Sequence, residues 1–148
     1  MSSLAGMIPP FRSDGYLPEG VHVCTEPDAI FRFGGGSRRR RRLIARLRRW
    51  LDLARQVGAR RLLLDGSFVT AKIEPEDVDA VLFLPADFGQ QVERGNAAAV
   101  ELEAMLLTRQ PEEIFAAEDE LDWQDWVAFF SRTRELDGRG KGLVEIAL

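Results

Sequence analysis

The stretch LLLDGSFVTAKIEPEDVDAV, residues 62–81, decides the fold of this 148-residue chain. It begins with an apolar run, 62–64, that is too short for a helix and is typical of a buried strand. Gly66-Ser67 turns the chain out of this strand, and a second apolar run follows over 78–84. The pattern predicts two buried strands that lie side by side at the centre of a small sheet.

Two carboxylates stand at the start of the second run. Asp77 and Asp79 are two residues apart, so on a strand their side chains point to the same face. Two like charges are costly to bury in an apolar strand unless that end is exposed or a cation lies between them. Mg²⁺ meets this need, because it prefers carboxylate oxygens and commonly bridges a protein to substrate phosphates.

The Gly-Ser turn adds a second function to the same region. Backbone amides at Gly66-Ser67 meet little steric hindrance, and amides of this kind can hold a phosphate group. A strand, a Gly-Ser turn and a second strand with paired carboxylates together outline a site for a triphosphate and a metal ion.

Gly66-Ser67 followed by Asp77-Val78-Asp79 resembles the signature of the polymerase-β-type nucleotidyltransferase superfamily. Within that superfamily, the run resembles the signature of the minimal nucleotidyltransferases of prokaryotic toxin–antitoxin systems. The wider chain is similar to a set of related small uncharacterised bacterial proteins that share three runs. These runs are Ile8-Pro9-Pro10-Phe11, Asp65-Gly66-Ser67-Phe68-Val69-Thr70 and Lys141-Gly142-Leu143-Val144.

The resemblance implies an α/β nucleotidyltransferase fold, a small mixed β-sheet flanked by helices. In that fold Gly66 and Ser67 would hold the triphosphate of an NTP. Asp77 and Asp79 would hold two Mg²⁺ or Mn²⁺ ions, which activate the attacking hydroxyl and stabilise the leaving pyrophosphate.

The superfamily also uses a third catalytic and metal-binding carboxylate on a later strand. Glu113 matches that place best and Glu145 is the runner-up, where the superfamily usually has aspartate. Many minimal members carry an arginine and a glycine shortly after the Gly-Ser pair, where this chain has Val69-Thr70-Ala71-Lys72. Lys72 can supply a cation to a phosphate, but it does not reproduce a bidentate arginine.

Hydrophobic spacing and turn residues predict the other elements. Apolar residues recur every three or four positions over 38–57, between an N-cap at Ser37 and a C-cap at Gly58. Turn-forming residues are dense over 1–36, which predicts an extended N-terminal arm packed on a domain formed by 37–148. The remaining predicted elements are helices over 90–109 and 122–134, with Phe129 and Phe130 facing inward, and strands over 113–117 and 143–148.

Charge is distributed unevenly within a chain of net charge −4. Arginines crowd 38–61, and the run 38–42 opens a helix, where cations oppose the helix dipole. We therefore expect a polyanionic acceptor or an acidic partner at Arg39, Arg40 and Arg42, which the spacing places off the apolar stripe. A helix start that is simply solvated is the competing interpretation.

Composition also limits the possible classes of protein. No run approaches the roughly 20 apolar residues that cross a bilayer, and the first residues lack a signal peptide, so we expect a cytoplasmic protein without a membrane partner. Cys24 is the single cysteine, so it cannot form an internal disulfide. Together with His22, the single histidine, it makes too poor a set of ligands for a zinc site.

Two hypotheses stay open. The first is an enzyme that transfers a nucleoside monophosphate from an NTP to a hydroxyl of a protein or RNA. The second is a catalytically degenerate nucleotidyltransferase fold that acts as a binding or regulatory, antitoxin-like module. Because a catalytic core this small lacks the extra domain that larger nucleotidyltransferases use to select substrates, we expect a partner to complete it, and a toxin–antitoxin partner protein is one candidate.

Overall fold

The computed structural model describes residues 8–108, 113–133 and 135–148. In these ranges the chain forms a five-stranded mixed sheet and five α-helices. The strands are β1 (Gly20–Cys24), β2 (Arg61–Asp65), β3 (Asp79–Phe83), β4 (Glu113–Ala117) and β5 (Gly142–Ala147). The helices are α1 (Glu26–Phe33), α2 (Arg38–Val57), α3 (Phe88–Glu93), α4 (Ala97–Thr108) and α5 (Glu120–Phe130).

The strand order is β1-β5-β2-β3-β4, with β2 at the centre. β2 pairs antiparallel with β3 and with β5, whereas β1 runs parallel to β5 and β4 runs parallel to β3. The prediction of a mixed α/β fold with two adjacent central strands is confirmed. Because β2 and β3 are antiparallel, the C-terminal end of β2 and the N-terminal end of β3 lie at the same end of the sheet.

Each face of the sheet has its own apolar core. On one face Leu62 and Leu64 of β2 pack with α2, whose Trp50 is fully buried. On the other face Leu63 packs against α5 through Trp123, which is 1% exposed. The alternation of β2 side chains therefore places helices on both sides of the central strand.

The caps of α2 lie where the sequence predicts them. The Ser37 side chain accepts a hydrogen bond from the Arg40 amide at 3.1 Å, and Gly58 ends the helix in a left-handed conformation with φ 81°. The helix predicted over 90–109 is instead divided into α3 and α4. Gly95, with φ 77°, turns the chain between them, and Asn96 caps α4 by accepting from the Ala99 amide at 3.1 Å.

The prediction of an extended N-terminal arm is wrong for residues 20–33. These residues form β1, an edge strand of the same sheet, and α1. Thr25 and Asp28 make a reciprocal capping box at the start of α1, with Pro27 in the first turn. This signal is visible in the sequence, but the surrounding turn residues obscured it. None of the described helices is long and apolar enough to cross a membrane.

Candidate functional site

A cleft of about 680 Å³ opens at the end of the sheet where β2 ends and β3 begins. Five of the six predicted site residues line it: Gly66, Ser67, Lys72, Asp77 and Asp79. The sixth, Glu113, lies outside the lining. The other lining residues include an acid and a lysine that sequence reasoning left unassigned, Asp65 and Lys141, and an aromatic pair from α5, Phe129 and Phe130.

Gly66 brings the two strands together at the cleft. Its φ of 91° and ψ of 178° lie in a region that is essentially open to glycine alone. A Cβ at this position would lie 3.0 Å from the Asp77 carbonyl oxygen and 3.2 Å from the Asp79 amide nitrogen. Only glycine therefore allows the turn after β2 to approach the backbone that carries both predicted metal ligands.

Ser67 fixes the orientation of Asp77. One carboxylate oxygen of Asp77 accepts from the Ser67 amide at 2.9 Å and from the Ser67 hydroxyl at 2.6 Å. The Ser67 oxygen in turn accepts from the Glu76 amide at 2.8 Å. In this structure the serine amide that was predicted to meet a phosphate contacts the acid instead, so the turn and Asp77 form one unit.

A nearly buried ion pair lies beside this unit. Lys141 contacts an Asp65 carboxylate oxygen at 2.7 Å, and the two side chains are 13% and 6% exposed. Burial raises the pKa of the Asp65 carboxyl, and the charge and hydrogen bond of Lys141 act against that rise. Asp65 and Lys141 are far apart in the sequence, so the sequence does not predict their pairing. The one local signal was Asp65 itself, an aspartate at the end of an apolar strand.

Strand register places three acids in one row across the sheet. Asp79 pairs with Asp65 on β2 and with Glu113 on β4, so all three side chains point to the same face. Glu113 itself is exposed and its role as a ligand stays a prediction. The alternative, Glu145, forms an ion pair with Arg61 through two contacts of 2.9 and 3.0 Å. Glu145 pairs with Leu63 in the middle of β2, away from the end of the sheet that forms the cleft.

The segment after Ser67 is held by a buried arginine. Arg40 is 7% exposed and donates to the carbonyl oxygens of Phe68 at 2.7 Å, Thr70 at 2.8 Å and Lys72. The prediction that Arg40 lies on the exposed side of α2 is therefore wrong. Although Arg40 lies in the first turn of α2, its side chain packs against the segment 68–72, whose carbonyl oxygens take the place of water as hydrogen-bond acceptors.

Comparison with known proteins identifies the family. The model of a family of unknown function (DUF6932) matches residues 9–147. The chain belongs to the DUF6932 family. No curated protein and no solved structure matches it. The matched range of DUF6932 includes the whole lining of the cleft, and the functional conclusion rests on the chemistry of those residues.

The donor set of this DUF6932 cleft suits a hard divalent cation bound by a pair of acids. Asp77 and Asp79 offer carboxylate oxygens, and Mg²⁺ is usually held by one or two carboxylates together with substrate phosphates and water. Among the residues that the structure describes, no group of three or more potential ligand side chains is arranged around one point.

Proposed function

We propose that this DUF6932 protein is a nucleotidyltransferase that uses Mg²⁺ or Mn²⁺ to transfer a nucleoside monophosphate from an NTP to a hydroxyl of a protein or RNA. The observation that supports it most directly is the placement of Asp77 and Asp79 against the Gly66-Ser67 turn in one cleft. The resemblance of these four residues to the superfamily signature supports the same activity. The proposed setting is the cytoplasm, where NTPs and Mg²⁺ are available.

In the proposed reaction the acceptor hydroxyl oxygen bonds to the α-phosphorus of the NTP, and the bond from that phosphorus to pyrophosphate breaks. The hydroxyl proton passes to a carboxylate of the cleft or to water. A divalent ion held by Asp77 and Asp79 would neutralise charge on the phosphates and activate the hydroxyl. Ser67 keeps Asp77 oriented, while Lys72 lies at the rim, 3.6 Å from Glu76, with half of its side chain exposed.

Metal-dependent nucleotide binding tests this proposal. Titration of ATP into the full chain by calorimetry, with and without Mg²⁺ or Mn²⁺, is expected to show tighter binding with the metal. In Asp77→Ala with Asp79→Ala this difference should vanish, because no carboxylate pair remains to join the metal to the protein. Binding of Mn²⁺ alone, followed by its paramagnetic resonance signal, gives a second readout.

The matched control removes two exposed acids outside the cleft, Asp52 on α2 and Asp125 on α5. This double variant has the same net charge as the Asp77, Asp79 variant and should retain metal-dependent binding. Nucleotide affinity that is equal with and without metal in the wild type would contradict the proposal.

A second candidate function is a degenerate, antitoxin-like binding module. Three observations favour it: Glu113 lies outside the cleft, the Ser67 amide contacts Asp77, and Lys141 already neutralises Asp65. An assay for pyrophosphate release from NTP, with RNA or a partner protein as acceptor, distinguishes the candidates. Release that depends on Asp77 and Asp79 supports the enzyme, whereas nucleotide binding without release supports the module.

Exposed arginines at the start of α2 support a polyanionic acceptor such as RNA. Arg38, Arg39, Arg41 and Arg42 are exposed, and the first turn of this helix contains no acidic residue. The buried side chain of Arg40 joins the same turn to the segment that lines the cleft. An RNA chain bound along these arginines would therefore lie beside the cleft.

Replacing Arg39, Arg41 and Arg42 with serine should weaken binding of a single-stranded RNA oligonucleotide. The slope of log affinity against log salt should become shallower by about 2 for three lost phosphate contacts. Fluorescence anisotropy at several salt concentrations measures this slope, with Arg94→Ser, an exposed arginine after α3, as the control. A lower melting temperature with unchanged RNA binding would show that these arginines are structural instead.

A further inference from the structure

Phe129 is an exposed aromatic residue at the cleft. It lies in the last turn of α5, lines the cleft and is 69% exposed, although the sequence predicted that it faces inward. Its neighbours Phe130 and Trp126 take the partly buried positions instead. A large apolar side chain left in solvent adds little to folding, and at the mouth of a cleft such a side chain often marks a binding site.

The ring of Phe129 packs against two other aromatic rings of α5. It contacts Phe130 at 5.1 Å and Trp126 at 6.1 Å between ring centroids, with interplanar angles of 75° and 87°. Phe130 and Trp126 are stacked on each other at 16°, and the Trp126 indole donates to the Ala116 carbonyl oxygen of β4 at 3.1 Å. Phe129 is thus held in place by near-perpendicular contacts, and much of its surface remains open for a flat ligand.

The same cleft carries charged groups suited to the other parts of a nucleotide. Asp77 and Asp79 would meet the phosphates through a metal ion, and Lys72 lines the cleft as a cation. A nucleotide joins an anionic chain to a planar aromatic base, which matches an acid-and-lysine region beside an aromatic one. The cleft volume of about 680 Å³ lies in the usual range for small-molecule sites, about 300–1,000 Å³.

We infer that Phe129 is the stacking platform for the nucleobase of the NTP, a subsite that rests on the proposed function. Stacking on an aromatic ring accepts every base, because each base has a π-face, and it favours larger ring systems. The cleft should therefore accept all four NTPs and bind purine nucleotides more tightly than pyrimidine nucleotides.

Phe129→Ala should weaken binding of MgATP by about 5- to 150-fold, the range given by loss of one base-stacking contact. Binding of magnesium tripolyphosphate, which has no base, should stay unchanged. Phe129→Leu keeps an apolar side chain without a π-face and should lose affinity in the same way, whereas Phe129→Trp should restore it. Calorimetry on the full chain measures all of these affinities, and circular dichroism confirms that each variant is folded.

Phe31→Ala is the matched control, because Phe31 is 91% exposed on α1 and lies outside the cleft. ATP affinity that falls no more in Phe129→Ala than in Phe31→Ala would overturn the inference, as would an equal loss of tripolyphosphate binding. If tripolyphosphate binds with metal but ATP gains nothing from its base, the stacking site fails while the proposed function stands. If neither ligand binds the wild type, the proposed function fails as well.

Discussion

Replacing Arg40 with alanine is expected to lower the free energy of unfolding by about 3 kcal/mol, a large effect for one residue of a helix's first turn. The buried guanidinium donates to the carbonyl oxygens of Phe68, Thr70 and Lys72 and to that of Phe33, the last residue of α1. Each bond to a charged donor stabilises by about 1.5–3 kcal/mol, and these contributions are not fully additive. Urea denaturation at 25 °C measures the change.

The controls for Arg40 come from the same turn of α2. Arg39→Ala removes an exposed arginine and should change stability by less than about 0.5 kcal/mol. Arg40→Lys keeps the charge but loses the planar set of donors, so an intermediate loss is expected. Equal stability of the alanine variants at positions 39 and 40 would show that the carbonyl contacts contribute nothing. A cleft rearranged by the Arg40 variant should also bind nucleotide less tightly, because Thr70 and Lys72 line it.

Lys141→Met is expected to destabilise the protein by about 3–5 kcal/mol at neutral pH, the usual cost of leaving a buried charge without its partner. Lys141 is the cation that contacts Asp65 at 2.7 Å, and both side chains are largely excluded from water. Adding Asp65→Asn to Lys141→Met removes the unpaired charge and should recover most of the loss. Chemical denaturation in metal-free buffer, carried out as a double-mutant cycle, measures this coupling.

The loss in Lys141→Met should depend on pH in a defined direction. Burial raises the pKa of the Asp65 carboxyl, so the folded state holds this proton more tightly than the unfolded state. The unfavourable contribution of Asp65 is therefore absent below the ordinary aspartate pKa of about 3.9 and appears as pH rises through the folded pKa. Loss of Lys141 raises the pKa of Asp65 further, which enlarges the penalty at neutral pH.

The stability difference between Lys141→Met and the wild type should therefore shrink as the pH is lowered from 7 toward about 4. Lys72→Met is the matched control, since Lys72 lies in the same cleft with its side chain 52% exposed and should show little change at any pH. A loss in Lys141→Met that is constant across this range would mean that the methionine disturbs packing and that Asp65 is not the cause.

The local sequence predicts much of the fold because caps and hydrophobic spacing act over a few residues. Ser37 and Gly58 bound α2, and β2 and β3 form from apolar runs that are adjacent at the centre of the sheet. The same local rules fail where two signals compete. Gly95 interrupts a helical pattern and divides it into α3 and α4, and a capping box at Thr25 starts a helix among turn-forming residues.

The candidate site was partly readable for the same reason. Asp77 and Asp79 line one cleft, as their two-residue spacing predicted, and Gly66 marks the turn that their backbone approaches. The contacts that complete the cleft join residues distant in the sequence. The Asp65–Lys141 ion pair forms because the residue before β5 lies beside the end of β2. Arg40 finds its hydrogen-bond acceptors because the segment after Ser67 packs against the start of α2.

By itself, the sequence determined the mixed α/β class, the caps of α2, the central strand pair and the spacing of the Gly-Ser and Asp-x-Asp motifs. These features follow from backbone preferences and periodicity over short ranges of chain. Tertiary structure alone decided that Arg40 is buried, that Phe129 is exposed and that Glu113, the strand partner of Asp79, lies outside the lining of the cleft. The reason is physical: the burial and partner of a side chain depend on which distant segments pack against it, and local periodicity carries no information about them.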